Sequence, residues 1–460
     1  MSELYVPESL KYGATYSSSK INRMKVLPTT GAGPYGPNSI IRFNLPNRSI
    51  LRLSSVSIVA DLTISNLISS NTAAEVVNAV LPYTQKLISR CNWVVNGVSC
   101  TPSNHFDQIA TQLAKVTGSE NWVKSKLNQG ALDLLQHTDD SAVSASRTIN
   151  AWVAGAKTSV SKVNQIVIDD LLGVCRGNQF GVLDSGIFGS VEVELTLNTD
   201  PLKVWAGANA TAAELAAVSY SLSNVSLQVD AITSVSNDYL QLMSMRLKDS
   251  RPINYAFQNF NCQIQAHSGT GVVRHTVSTN CLDIVMAAPL ASGYATRASQ
   301  AQTSVNAPRY TYNSGRDATN QKDCQIQFNI GSTQYPQGYQ LSAYEAYDVT
   351  ANTYGVMDRY ATNLLCYGTD GFGDIDAGSV ISRDQYLAHN AIFAFALSNE
   401  AEGWASPNRI LSGISTNQSN SEIVFQFTNF GTASGFLCST ALYTSVLQYD
   451  PASATVQLIQ

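Results

Sequence analysis

The chain reads as all-β: two tandem antiparallel β-sandwiches, with an arm in front and short helical insertions between strands. Three observations carry this reading. Apolar and polar residues alternate over short runs along most of the chain, and Gly, Asn, Ser and Pro turns separate the runs. Only 13% of residues are charged, against roughly 25% in an average soluble domain. With 44% hydrophobic residues the chain is folded, and its surface is neutral and polar, of a kind suited to packing against protein.

Residues 1–37 form the arm. Lys11, Lys20, Arg23 and Lys25 lie in it with no acid between Ser9 and Thr30, no apolar period is visible, and the turn-rich run Gly31–Pro37 closes it. The first sandwich spans 38–234. Ile41 and Phe43, Leu51 and Leu53, and Val56 to Ile64 alternate as half-buried strands. Thr72-Ala-Ala-Glu75 has capping-box spacing ahead of Val76, Val77, Val80 and Leu81, which predicts a short helix ended by Pro82. Trp93 to Val98 is a hairpin around Asn96-Gly97, whose two-residue turn pairs Cys100 with Trp93 and leaves no disulfide to Cys91. Phe106, Ile109, Ala110, Leu113 and Val116 predict a helix, with Asn104 or Ser103 as its cap. Strands resume at Val163–Ile168 and Val191–Leu197. A phase shift at Ser223-Asn224, between Val218–Leu222 and Val225–Val229, predicts a bulge.

The second sandwich spans 235–460, after a helical connector at about 235–250. Its strand runs are Tyr255–Ile264, Leu282–Val285, Cys324–Ile330, Ile392–Leu397, Ile423–Phe427 and Leu442–Tyr449. Two echoes suggest duplication. Gly189–Leu197 resembles Ala391–Leu397, and Tyr220–Val229 resembles Leu442–Tyr449. Exposed loops are expected at 119–160, 290–322 and 399–420, from polarity and lack of period.

No chemistry advertises itself. Gly31-Ala-Gly33-Pro-Tyr-Gly36 matches a dinucleotide-binding fingerprint in letters, but Pro34 and Pro37 block the helix that such a loop must open. The five His and eight Cys are scattered without zinc spacing, and the cysteines read as buried thiols. No nucleophile elbow or phosphate loop occurs, so no catalytic residue and no cofactor are expected. Asp370, Asp374 and Asp376 share a Gly-rich loop that suits either calcium or a solvated turn. Tyr310, Tyr312, Tyr335, Tyr339, Tyr344 and Tyr347 crowd a polar region, fit for an interface, glycan contact or loop packing. A net charge of −5 gives no case for a nucleic-acid binder. The start lacks the order of a secretory signal and no apolar run reaches membrane-spanning length, so synthesis in a cytosol-like compartment is expected.

The order of features resembles the double jelly-roll major capsid proteins of tectiviruses, adenoviruses and virophages. An arm is followed by the Ile40-Ile41-Arg42-Phe43 strand and the long run Leu51–Ile64. Then come Ile88–Cys100 with its Asn-Gly turn, the Phe106 helix, Ile166–Val174 and Gly189–Asp200. The resemblance implies two eight-stranded jelly rolls side by side, and homotrimers forming pseudo-hexagonal capsomers of an icosahedral virion. It implies contacts with neighbouring capsomers, minor capsid and vertex (penton) proteins, and an internal membrane reached by the basic arm. It also implies no enzymatic activity. The rival readings are a tandem β-sandwich carbohydrate-binding or adhesin-like protein and a β-rich hydrolase using clustered acids.

Overall fold

The computed structural model describes residues 20–70, 75–81, 83–101, 104–117, 157–176, 182–206, 209–232, 237–291, 325–353, 392–397, 413–417, 422–428 and 435–460. The first half contains β1 (Ile21–Val26), β2 (Ile40–Asn44), β3 (Ile50–Ser69), β4 (Val77–Val80), β5 (Ile88–Val95), β6 (Val98–Ser99), helix α1 (Phe106–Thr117), β7 (Thr158–Ile168), β8 (Val182–Asp184), β9 (Val191–Leu197), β10 (Lys203–Ala206) and β11 (Ser219–Ile232). Helix α2 (Asn237–Lys248) leads into the second half. That half contains β12 (Ile253–His267), β13 (Gly271–Thr276), β14 (Leu282–Ala291), β15 (Gln325–Ile330), β16 (Thr333–Tyr335), β17 (Leu341–Ser342), helix α3 (Ala343–Thr353), β18 (Phe393–Ala396), β19 (Glu422–Thr428), β20 (Gly435–Asp450) and β21 (Thr455–Ile459).

The hydrogen-bond neighbours reveal one topology used twice. In the first half they run β1-β11-β3-β7 in one sheet and β2-β9-β5-β6 in the other. In the second they run β12-β20-β14-β18 and β13-β19-β15-β16. With β4, β8, β10, β17 and β21 set aside as additions, each half joins its first, eighth, third and sixth strands in one sheet. The other sheet joins the second, seventh, fourth and fifth. This is an eight-stranded jelly roll, and the chain is two of them in tandem. The same strand pair carries an exposed ion pair in both halves: Arg42 Nε to Glu194 at 2.8 Å between β2 and β9, and Arg274 Nη1 to Glu422 at 3.1 Å between β13 and β19.

The topology sorts the two echoes. Tyr220–Val229 and Leu442–Tyr449 lie on β11 and β20, both eighth strands, so that likeness is between true counterparts. Gly189–Leu197 ends in β9, a seventh strand, whereas Ala391–Leu397 contains β18, a sixth. The counterpart of β9 is β19; short alternating strands look alike, and only their partners separate them.

Local chemistry accounts for the agreements. Alternation puts Val191, Val193, Leu195 and Leu197 of β9 in the core, with the residues between them half-exposed. The register between β11 and β3 breaks between Ser223 and Ser226, and Asn224 takes φ 52° there, as the phase shift requires. At the β5–β6 hairpin Val95 pairs with Val98, and Asn96 and Gly97 take φ 47° and 81°, the left-handed pair of a type I′ turn. The Cys100 N–H donates to the Trp93 carbonyl at 2.7 Å. Burial pushes the Cys91 and Cys100 thiols up to about 12, so both stay protonated and inert.

Four expectations change. Val77–Val80 is a strand, paired with Lys203–Ala206, because β-branched Val77 and Val80 beside a sheet edge outweigh a local capping signal. Residues 21–26, placed in the arm, are β1, the first strand of the first jelly roll, paired along its length with β11. Helix α1 begins after His105, whose carbonyl accepts the first helical hydrogen bonds at φ 63°, in place of Asn104 or Ser103. Of the expected loops, 158–160 and 290–291 lie in strands β7 and β14, and Thr416 is fully buried, with its hydroxyl donating to the Val277 carbonyl at 2.9 Å. Lys157, Ser415 and Asn417 are exposed as expected, Gly413 and Ile414 are half-buried, and the rest of those loops falls outside the described residues.

His275 and Asp283 are titratable side chains buried in the second jelly roll. His275 Nδ1 sits 2.9 Å from Ser439 Oγ, whose own proton goes to the Gln263 carbonyl at 3.2 Å, so Nδ1 is the protonated nitrogen and Nε2 has no hydrogen-bond partner. Burial lowers the imidazole to about 4. The Asp283 carboxylate accepts from Thr444 Oγ1 at 2.7 Å and Cys281 Sγ at 3.2 Å, and burial raises it to about 6. Between pH 6.5 and 4 the folded state binds fewer protons than the unfolded chain at His275, and more at Asp283. The histidine therefore costs stability on acidification and the aspartate returns it, each by about 3 kcal/mol. Thermal melts should show His275→Gln gaining stability between pH 6.5 and 4.5 relative to the unaltered chain, and Asp283→Asn losing it. Parallel pH profiles for all three proteins would refute the assignment.

Candidate functional site

Helix α1 is the element that joins the halves. It follows β6 and contacts β5 of its own jelly roll, yet from Phe106 to Ala114 every residue is buried. A helix covered all round needs cover on two sides, and the second side is the β12–β20 sheet. The Phe106 ring meets Phe260 of β12 at 6.2 Å. Gln112 Nε2 donates to Cys438 Sγ at 3.1 Å, and Gln112 Oε1 accepts from Thr440 Oγ1 at 3.3 Å.

The rest of the seam is polar as well. Asn259 Nδ2 donates to the Cys100 carbonyl at 2.7 Å, and the Tyr255 hydroxyl to the Val174 carbonyl at 2.8 Å. At one end Phe188 packs edge-on against Tyr449 at 6.3 Å. Beneath α1 runs a buried 3-10 turn, Thr84–Leu87, whose Lys86 is 2% exposed. Burial lowers the Lys86 ammonium, and the nearby Asp107 side chain opposes that shift. Asp107 Oδ2 also accepts from Gln108 Nε2 at 2.8 Å. Directional groups of this kind fix the register of two packed bodies in a way that apolar contact alone does not.

Of the residues singled out in the sequence, Arg23 and Lys25 lie on one face of β1. They stand opposite Asp230 and Gln228 of β11, and Arg23 Nη2 reaches Ser57 Oγ at 3.2 Å. Lys20 immediately precedes this strand, while Lys11, Asp370, Asp374 and Asp376 lie outside the described residues. Among the described residues no group of three or more His, Cys, Asp and Glu is placed to hold a metal, and no helix is long and apolar enough to cross a membrane. Gly31–Gly36 leads through a bridge between Tyr35 and Leu222 into β2, so no helix opens there. In the Tyr-rich region, Tyr335 packs on Phe395 at 5.6 Å and Tyr339 is exposed.

Sequence reasoning missed the seam. Its readable signal is an absence: β12 carries no Lys, Arg, Asp or Glu, and β20 carries none before Asp450, on either face. Lys86→Met and Asp107→Asn, made singly and together, should show non-additive costs in chemical denaturation, because the two side chains lie near each other in the buried seam. Strictly additive costs would show that the two side chains do not interact.

No protein-family model and no curated protein sequence matches the chain. Solved structures do. The chain aligns with the capsid protein of the PBCV-1 virus capsid over 97% of both chains, at TM-score 0.57 and 11% identity. It aligns with a chain of the Sputnik virophage over 96% of itself and 89% of that chain, at TM-score 0.56 and 10% identity. It aligns with the Faustovirus major capsid protein over 97% of itself and 92% of that chain, at TM-score 0.54 and 10% identity. With two repeated eight-stranded units and similarity along nearly its whole length, the chain has the double jelly-roll fold of viral major capsid proteins.

Proposed function

We propose that the chain is a viral major capsid protein, a structural subunit that assembles into homotrimers whose six jelly rolls make a pseudo-hexagonal capsomer of an icosahedral shell. It works in the virion after synthesis in the host cytoplasm or its equivalent. The basic segment from Lys11 to Lys25 serves neighbouring capsomers, minor capsid and vertex proteins, or an internal membrane. It reads no nucleic-acid sequence and catalyses no reaction. A fold alone does not assign a function; the observation that carries this reading is the locked side-by-side pairing of two jelly rolls.

The Phe188–Tyr449 contact brings together the Ile50–Ile232 end of the first unit and the Ile253–Tyr449 end of the second. At the opposite end of the units stand the Ser69–Thr158 and Ala291–Gly435 pairs, where β7 begins and β14 ends. That arrangement supports an outer tower on one side of a shell and an inner base on the other. Light scattering of the purified chain should find a stable trimer or larger particles, and negative-stain microscopy should find hexagonal capsomers. A chain that stays monomeric at all concentrations tested contradicts the proposal.

A further inference from the structure

Strands β12 and β20 place Cys262 opposite Thr440 and Ile264 opposite Cys438, so all four side chains stand on one face of their sheet. That face is the one α1 covers, since Gln112 reaches both Cys438 and Thr440. Cys262 and Cys438 are both buried thiols, and their sulfur atoms stand 3.4 Å apart. A disulfide holds its sulfurs at about 2.05 Å, so closing the pair asks for rotation of the two side chains and a small shift of the strands.

We propose that Cys262 and Cys438 form a reversible oxidation site, a thiol pair in the reduced chain and a disulfide in the oxidised one. Burial pushes the Cys262 thiol well up and keeps it protonated, and it also bars bulky reagents from both sulfurs. The class of oxidant that fits is therefore small and uncharged, such as hydrogen peroxide. One sulfur attacks a peroxide oxygen, the O–O bond breaks, and a sulfenic acid and one water result. The second sulfur displaces a further water from that sulfenic acid to form the S–S bond. Two thiols and one hydrogen peroxide thus give one disulfide and two waters.

The bond is a staple with a long reach. The two cysteines are 176 positions apart in sequence, on the first and eighth strands of the second jelly roll, so the disulfide closes most of that unit into one loop. A loop of that length restricts the unfolded chain strongly, which stabilises the folded one. The staple also ties together the two strands on which α1 rests, directly beneath Gln112. The pair stands whether or not the chain is a capsid subunit. The capsid reading adds the change of compartment, from a cytosol that keeps thiols reduced to oxidising surroundings outside the cell.

The test uses the full chain, purified with its thiols reduced and treated with hydrogen peroxide in the absence of denaturant. Remaining thiols are then alkylated in denaturant and the chain is digested. Mass spectrometry should find the peptides carrying Cys262 and Cys438 joined with loss of two hydrogens, and dithiothreitol should separate them. The melting midpoint should rise by about 10 °C on oxidation, and Cys262→Ala and Cys438→Ala should each abolish that rise. Alkylated Cys262 and Cys438 after treatment, either sulfur joined to a different cysteine, or sulfurs carrying only added oxygen overturns the proposal. A joined pair with an unchanged melting midpoint overturns the staple. The peptide map reads the unaltered chain, so it decides the pairing even where an alanine variant fails to fold. No outcome depends on oligomeric state, so light scattering judges the capsid reading separately.

Discussion

The structure depends on a sheet that cannot face water. Strand β20 is buried from Leu437 to Ser445 on both of its sides, and β12 beside it is mostly buried from Ile253 to Cys262. A sheet with one wet face shows clean alternation of apolar and polar residues; one with two dry faces has to be roofed. Helix α1 is the roof, and it comes from the other jelly roll. Joining the halves is therefore part of completing the second core, and the first half supplies what the second lacks.

That dependence explains the polar character of the seam. Small neutral side chains such as Cys438, Thr440, Ser445 and Asn259 accept burial at low cost once each finds a partner, and Gln112, Ser445 and the Cys100 carbonyl are such partners. Lys86 and Asp107 are the exception, two ionisable side chains held near each other in the dry layer. Buried ionisable groups of this kind add little over a well-packed apolar contact. Their value here lies in register, because two smooth sandwich faces could otherwise slide past each other.

Much of this was legible in the sequence. Alternation located β3, β9, β11, β12, β19 and β20, the Asn96-Gly97 turn placed its hairpin, and the shift at Ser223-Asn224 placed the bulge. Those signals are local, with period and turn chemistry sitting in neighbouring residues. What stayed hidden depends on partners far along the chain. Nothing in Ile21-Asn-Arg-Met-Lys-Val26 spells a strand until β11 offers an edge, and Val77–Val80 reads as helix until β10 arrives. The seam stayed hidden because a buried Gln112 and an exposed one are written alike. Low charge marked the chain as one built for contact, and strand pairing shows where that contact is already satisfied and where it is still open.

A cryo-electron microscopy map of the assembled particle, fine enough to place helices, tests the central claim most directly. The account predicts helix density from α1 of the first jelly roll over the outer face of β12 and β20 in the same chain. Solvent over that face, or a roof supplied by a different element, would contradict it.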